Sequence, residues 1–412
     1  MSDPVPLYML VIIGALMVGA YRVVYGRAAR LVMPNSSGPL TSRAQPRHHA
    51  RLAAALTGLL GVGVYLAGLS LRGTSPTIAM DGVWLLASIA LPVLPIALSI
   101  RNVRPDFAAR THIERMASTS LMMLALVALL TTVGIVASLI FEATLFFQDV
   151  SVIEFLFGTH WSPQTEIRAG EAGQSGAFGA VPIFAGTFLI TLISMVIAGP
   201  VGLMVAIYLS EYASPRTRAI AKPAIEVLAE IPTVVYGFFA LISVGPAIRN
   251  AAAWFGADVA TQSSLAAGLV MGVMIIPLVS SLSDDVIRAV PQSLRDGSTA
   301  LGATKSETLI RVVFRSALPG IIGAFLLAIS RAIGETMIVV MAAGRAANLS
   351  ANPFDAVTTV TVQIVALLTG DQVFDSPRTL AAFALGLVLF VITLLLNIGA
   401  LAVVNRYRTR FE

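Results

Sequence analysis

The 412-residue chain contains no cysteine, which excludes disulfides, thiol nucleophiles and thiolate metal sites together. Charge is scarce as well. Asp, Glu, Lys and Arg make up 12% of the residues, against about a quarter in a soluble domain. Histidine is limited to His48, His49, His112 and His160, and none stands at metal-ligand spacing from another ligand type. The sequence holds no P-loop, no HExxH and no GxSxG with a usable histidine and acid. Any energy drawn from ATP must therefore enter through another subunit. The apolar runs lack strand-period alternation, which excludes a transmembrane β-barrel.

Apolar residues are what the chain has in excess: 57% of the total, with mean hydropathy +0.85. Several mainly apolar stretches reach the roughly 18 residues needed to cross a bilayer as helix. The fold class is all-α, a polytopic membrane protein, with spans predicted near 6–21, 52–71, 83–100, 121–141, 182–209, 223–246, 265–283, 317–341 and 380–404. Gly199-Pro200 predicts a break or kink in the fifth span. The eighth carries charges and small residues and is expected to bend. The first helix starts after Asp3 without a basic segment before it, so no cleaved signal peptide is expected.

The loops 22–51, 101–120, 210–222 and 284–316, with the tail 405–412, hold 21 of the 27 Lys and Arg residues. The positive-inside rule then puts the N-terminus outside and the C-terminus inside. The net charge of +5 follows from that topology and does not indicate nucleic-acid binding. The chain divides near residue 118. Residues 1–118 form an N-terminal extension of three spans ending in the basic segment 101–118, read either as an interfacial or elbow helix or as a solvated loop. Residues 119–412 carry six spans. The outward segment 142–181 holds Glu142, Asp149, Glu154, Glu166 and Glu171 with Phe146, Phe147, Phe155, Phe157 and Trp161. Two readings stand: an amphipathic helix at the outer interface with its aromatics at headgroup level, or a contact surface for an extracytoplasmic partner.

Three groups of residues carry chemistry. Arg331 lies within an apolar span, where a charge costs roughly 2.5–3.5 kcal/mol on insertion scales. Glu335 follows four residues later on what would be the same helical face, and Thr336 adds a hydroxyl. A guanidinium is shaped to hold an oxyanion through paired donors, so the pair fits an anion pathway, or else a structural ion pair. Glu226 and Glu230 fall in the first turns of the predicted sixth span, before Pro232. They read as interfacial charges favoured near a helix N-terminus, with Lys222 in pairing range, or as a gate lining. The stretch 284–316 sets Asp296-Gly297-Ser298 ahead of Gly302-Ala303, with apolar periodicity on both sides. That describes two short helices meeting at a turn whose backbone needs glycine, a unit suited to a groove on a soluble partner.

The Asp296-Gly297-Ser298…Gly302 spacing resembles the "EAA…G" loop of ABC-importer permeases. Together with IYLSEYASP (207–215), EIPTVVYGFFAL (230–241), ALPGI (317–321) and RAIGETMIVVMAAG (331–344), it is similar to the PstC-type permease subunit of bacterial phosphate importers. The three-span N-terminus resembles the extended form of that subunit. The resemblance implies a type I importer core of six helices in the bacterial inner membrane. It implies a PstA-like partner permease, a PstB-like ATPase dimer that uses ATP and Mg, a PstS-like phosphate-binding protein, and no cofactor on this chain itself. Arg331 and Glu335 would match the charged pair of the translocation path. Asp296, Gly297, Ser298, Gly302 and Ala303 would match the element that receives the ATPase. Asp296 stands where Glu is usual, and Phe314-Arg315 stand where Leu-Pro is usual. Another oxyanion, such as molybdate or sulfate, or a secondary anion transporter, remains the competing reading.

Overall fold

A computed structural model describes residues 5–32, 45–72, 91, 93–101, 109–163, 176–256, 259–369 and 376–408. Two compact units are present, Met1–Thr132 and Val133–Glu412. In the first unit, α1 (Val5–Val32) packs on α2 (Pro46–Arg72) and on α3 (Val93–Arg101). Glycine sets the closeness of the first pair: a Cβ at Gly58 would fall 2.7 Å from Met17 Sδ, and one at Gly61 3.1 Å from Ile13. The first and second predicted spans lie within α1 and α2. Of the third, residues 83–90 and 92 lie outside the described residues.

The helix α4 (Ala109–Asp149) runs 41 residues and passes from the first unit into the second. Residues 102–108 of the basic segment lie outside the described residues; Ala109–Ser118 are the start of α4, where Arg110 pairs with Glu114 one turn on. The second unit continues with α5 (Val152–Phe157), the antiparallel pair β1 (Trp161–Ser162) and β2 (Ala177–Phe178), and α6 (Val181–Ile207). It then holds α7 (Pro215–Glu230), α8 (Thr233–Phe239), α9 (Gly245–Trp254), α10 (Ser264–Ala289) and α11 (Gln292–Ala300). The chain closes with α12 (Lys305–Thr308), α13 (Phe314–Ile333), α14 (Met337–Ala342), α15 (Val360–Leu368) and α16 (Pro377–Arg408). Among the described residues, the π turns Ala240–Val244 and Leu309–Val313 join helices end to end, while Tyr208–Tyr212 ends α6 ahead of the extended Ala213 and Ser214.

Six helical segments among the described residues are long and apolar enough to cross a membrane: Ala109–Asp149, Val181–Tyr212, Thr233–Trp254, Ser264–Ala289, Lys305–Ile333 and Pro377–Ala402. They correspond to the fourth to ninth predicted spans. At the centre α10 lies against α6, and small residues bring the backbones together. A Cβ at Gly202 would meet Val279 at 2.8 Å, one at Gly268 would meet Ile193 at 2.6 Å, and one at Gly272 would meet the Ser194 carbonyl at 3.0 Å. Met271, Ile275 and Val279 of α10 anchor a core shared with Ile190, Ala328, Ala332 and Ile338.

Several expectations need correction. The helix α6 continues unbroken through Pro200, because it is clamped to α10 on both sides of that residue; its irregularity falls later, at Tyr208–Tyr212. The aromatics of 142–178 are mostly not at an interface. Phe146 and Phe155 are fully buried, and Phe147, Trp161 and Phe178 pack edge-on around them with centroids 5.3–6.0 Å apart. The hairpin folds back because Gly158 and Gly179 cross backbone on backbone, which leaves no room for a Cβ on either. Phe157 alone of the five that were singled out is well exposed, at 73%.

Candidate translocation and coupling sites

The eighth span is interrupted among its charged and small residues. The helix α13 stops at Ile333, Gly334 caps it, and α14 begins at Met337. Glu335 Oε1 accepts hydrogen bonds from the Met337 and Ile338 amides at 3.0 and 3.4 Å, satisfying donors that the new helix leaves open. Thr361 Oγ1 donates to the Glu335 carbonyl at 2.9 Å, and Thr336 Oγ1 reaches the Gly334 carbonyl at 3.5 Å. The structural Arg331–Glu335 ion pair, the second of the two readings of these residues, is not formed. Unwinding at Gly334 takes Glu335 off the helical face that i, i+4 spacing assumes. Arg331 is exposed and has no hydrogen bond or ion pair among the described residues. The helix α8 comes against this break at Gly237, where a Cβ would stand 3.0 Å from the Met337 carbonyl.

Glu226 and Glu230 sit elsewhere than expected. They are exposed in the last turns of α7, which has no buried residue, and Glu230 is that helix's final residue. The chain is extended at Ile231 and Pro232, and the spanning segment starts at Thr233. The physical reason is Pro232, which lacks an amide hydrogen and pushes the residue before it out of helical backbone. The N-terminus argument for these carboxylates therefore fails, and Lys222 does not pair with Glu226. Tyr236 Oη donates to the Leu228 carbonyl at 2.8 Å and fixes the corner.

In 284–316 the turn stands at Gly302, whose φ of +84° is in the left-handed region that favours glycine. Only one of the flanking helices is short and separate. The other, from Lys305, runs on through a π turn into α13 as one spanning segment. Thr304 and Glu307 close a capping box at its start. Asp296 accepts from Gln292 Nε2 at 2.9 Å, within α11. Gly297 and Gly302 face open space, and the Ala303 amide donates to the Ser298 carbonyl at 3.2 Å. Ser298 and Thr308 hydroxyls meet at 2.9 Å, and Leu301 at the turn is 91% exposed.

Beside this turn lies a set of ion pairs. Arg218 of α7 forks onto buried Asp284 of α10, with Nη1 to Oδ1 at 2.9 Å and Nη2 to Oδ2 at 2.6 Å, and Nη1 also donates to the Leu209 carbonyl at 2.8 Å. Lys222 Nζ donates to Asp284 at 3.0 Å and to Asp285 at 3.3 Å. The hydrogen bond to Asp284 holds the Arg218 guanidinium above its usual range despite burial. For Lys222 burial is the largest single influence and lowers its affinity for a proton, but the bonds and fields of Asp284 and Asp285 together outweigh it, so the ammonium also titrates above its usual range. Arg295 of α11 pairs with Glu211 in the first π turn and donates from Nη2 to the Ile287 carbonyl at 2.8 Å.

Residues 198–409 match the family described as "Binding-protein-dependent transport system inner membrane component". The chain belongs to this family. It is similar to the "Probable ABC transporter permease protein YqgH" of Bacillus subtilis, 36% identical over 60% of this chain and 75% of that one. It is 33% identical to "Phosphate transport system permease protein PstC 1" of Mycobacterium tuberculosis, over 62% of this chain and 82% of that protein. Mesorhizobium japonicum has a similar PstC, 31% identical over 59% of this chain and 75% of the relative. An inward facing structure of the MetNI methionine ABC transporter aligns with 56% of this chain at 17% identity and a TM-score of 0.41, covering 94% of that chain. The resemblance to PstC-type permeases thus holds, and the protein is a multi-pass inner membrane permease of an ABC importer.

The permease's second polar centre lies at the other end of α6. Gln363, 7% exposed, accepts from Trp161 Nε1 at 3.1 Å and donates to the Arg345 carbonyl and Thr358 Oγ1, both at 3.2 Å. Sequence reasoning missed this residue and also Glu211, Arg218, Asp284 and Arg295. The available signal was the rarity of charge: Asp284 directly follows an apolar span, and a carboxylate there needs a cation supplied from another loop.

Proposed function

We propose that the chain is one permease of an ATP-driven phosphate importer, lining half of the translocation path. The observation that carries this reading is Arg331, a guanidinium with no partner among the described residues, at the end of a spanning helix and next to a helix break that Thr361 hydrogen-bonds and Gly237 packs against. An uncompensated charge at such a position is costly unless it faces a partner subunit or a water-filled path. The relatives named as phosphate permeases support the substrate class. In this reading a PstA-like permease supplies the other wall, and a PstS-like protein delivers phosphate from outside. A PstB-like ATPase pair drives Asp296, Gly297, Ser298, Gly302 and Ala303 from the cytoplasm. The N-terminus lies in the periplasm and the C-terminus in the cytoplasm. Arg331 compensates the anion's charge in passage, while Glu335 and Thr336 shape the break. Glu226, Glu230 and Pro232 are the gate at the cytoplasmic mouth.

The test is ATP hydrolysis by the reconstituted complex with binding protein, titrated with phosphate and then sulfate. Stimulation by phosphate alone, lost in an assembled Arg331→Ala complex, is expected. Stimulation by sulfate or molybdate would replace the substrate, and failure to assemble with any ATPase would refute the importer reading.

A further inference from the structure

A stroke delivered to α11 does work only if α11 is fastened to the helices that must move. The helix contributes no buried residue, so apolar packing does not fasten it. Its fastenings to the spanning helices are polar and few. On one side Arg295 forks, one arm on the Glu211 carboxylate at the end of α6 and the other on the Ile287 carbonyl near the end of α10. On the other side Ser298 meets Thr308 at the base of α13. The charged pair is shielded, with Arg295 and Glu211 side chains 15% and 11% exposed, so water screens it weakly. A guanidinium fork also fixes direction, which a single-point ammonium contact does not.

Two of the three attachments adjoin a π turn. Glu211 lies inside Tyr208–Tyr212, and Thr308 immediately precedes Leu309–Val313. A π turn has a looser hydrogen-bond ladder than α-helix and is found mainly at functional positions. Next to the pair is a cavity of 590 Å³ lined by Glu211, Arg288, Arg295, Asp296 and Lys305, so α11 has room to shift.

We infer that Arg295, through Glu211 and the Ile287 carbonyl, is the positioning residue that transfers displacement of α11 to α6 and α10. Ser298 with Thr308 is the separate arm to α13, and the two π turns are the compliant joints. This rests on the reading of α11 as the element that receives the ATPase. Arg295 touches neither substrate nor nucleotide; it sets how much transport each hydrolysis yields.

The experiment measures phosphate transported per ATP hydrolysed by the full complex in proteoliposomes. Replacing both partners, Glu211→Met with Arg295→Met, removes the link without stranding a charge, so the complex should keep its thermal stability. The transport-to-hydrolysis ratio should nevertheless fall about fivefold or more, the low end of coupling between distant sites. The exchange Glu211→Arg with Arg295→Glu restores the arm to α6 but not the donor to the Ile287 carbonyl, so it should recover part of the ratio and not all of it. A double-methionine complex that assembles and keeps the parent ratio overturns the proposal. So does an exchange variant no better than the double-methionine one, which would mark the pair as structural only. A parent chain that binds no ATPase refutes the underlying reading, and this inference with it.

Discussion

Replacing Asp284 with asparagine should be the most damaging single change at this end of the permease. The carboxylate is 1% exposed and receives three charged donor contacts, two from Arg218 and one from Lys222. At an effective dielectric of about 20, unit charges about 3 Å apart attract by roughly 5–6 kcal/mol, and desolvation offsets much of that. The net value of the pair is therefore small, but the cost of breaking it is not. Removing one side of a buried pair typically costs about 3–5 kcal/mol, because the remaining charge is stranded. Arg218 and Lys222 side chains keep 19% and 27% exposure. Water recovers part of the loss, so about 2–4 kcal/mol is expected for Asp284→Asn. Equilibrium unfolding of the purified chain in detergent, followed by tryptophan fluorescence, measures it. A triple variant, Asp284→Leu with Arg218→Met and Lys222→Met, should recover most of the loss, since the charge it leaves unpaired, Asp285, is 65% exposed and stays solvated. An Asp284→Asn protein within about 0.5 kcal/mol of the parent, the range of ordinary surface changes, would refute the argument.

Two backbone predictions follow from glycines. A Cβ at Gly186 would stand 2.2 Å from the Thr358 carbonyl, where neither backbone can give easily. Gly186→Ala should thus cost about 3 kcal/mol, the upper range for overpacking, seen as a lower unfolding temperature and poor yield. Gly302 has φ +84° with nothing within 4 Å of a Cβ, so only conformation opposes a side chain there. Gly302→Ala should cost about 1–2 kcal/mol and Gly302→Asn less, because asparagine tolerates left-handed backbone. Thermal unfolding of the two variants side by side checks the order.

Length and hydropathy were enough to locate six spans, because a helix in lipid must satisfy its own backbone and announces itself as a continuous apolar run. The glycine turn at 302 and the irregularity in the eighth span were legible for local reasons: a left-handed position and a cluster of small and charged residues. Helix ends beside charges were not. The region 215–230 carries alternating apolar residues and merges in the sequence with the span that follows, although Pro232 separates them. Partners distant in sequence were also hidden. Arg218 and Asp284 are 66 residues apart, and Trp161 and Gln363 are 202 apart. The i, i+4 rule for Arg331 and Glu335 failed because it presumes that the helix continues, and Gly334 ends it.

The π turn at Tyr208–Tyr212 has a genetic consequence. A π turn holds one residue more than the α turn it replaces, so excising a single codon there would let α6 close into regular helix. Each α-helical residue carries about 100° of rotation. The excised residue is the surplus one, so the helix on either side would keep its phase, whereas a one-residue deletion in the regular part of α6 would turn Glu211 by that angle, away from Arg295. The contact is thus written into the reading frame of the regular helix that precedes the turn. Substitutions along α6 leave that phase untouched, whereas an insertion or deletion of one residue resets it.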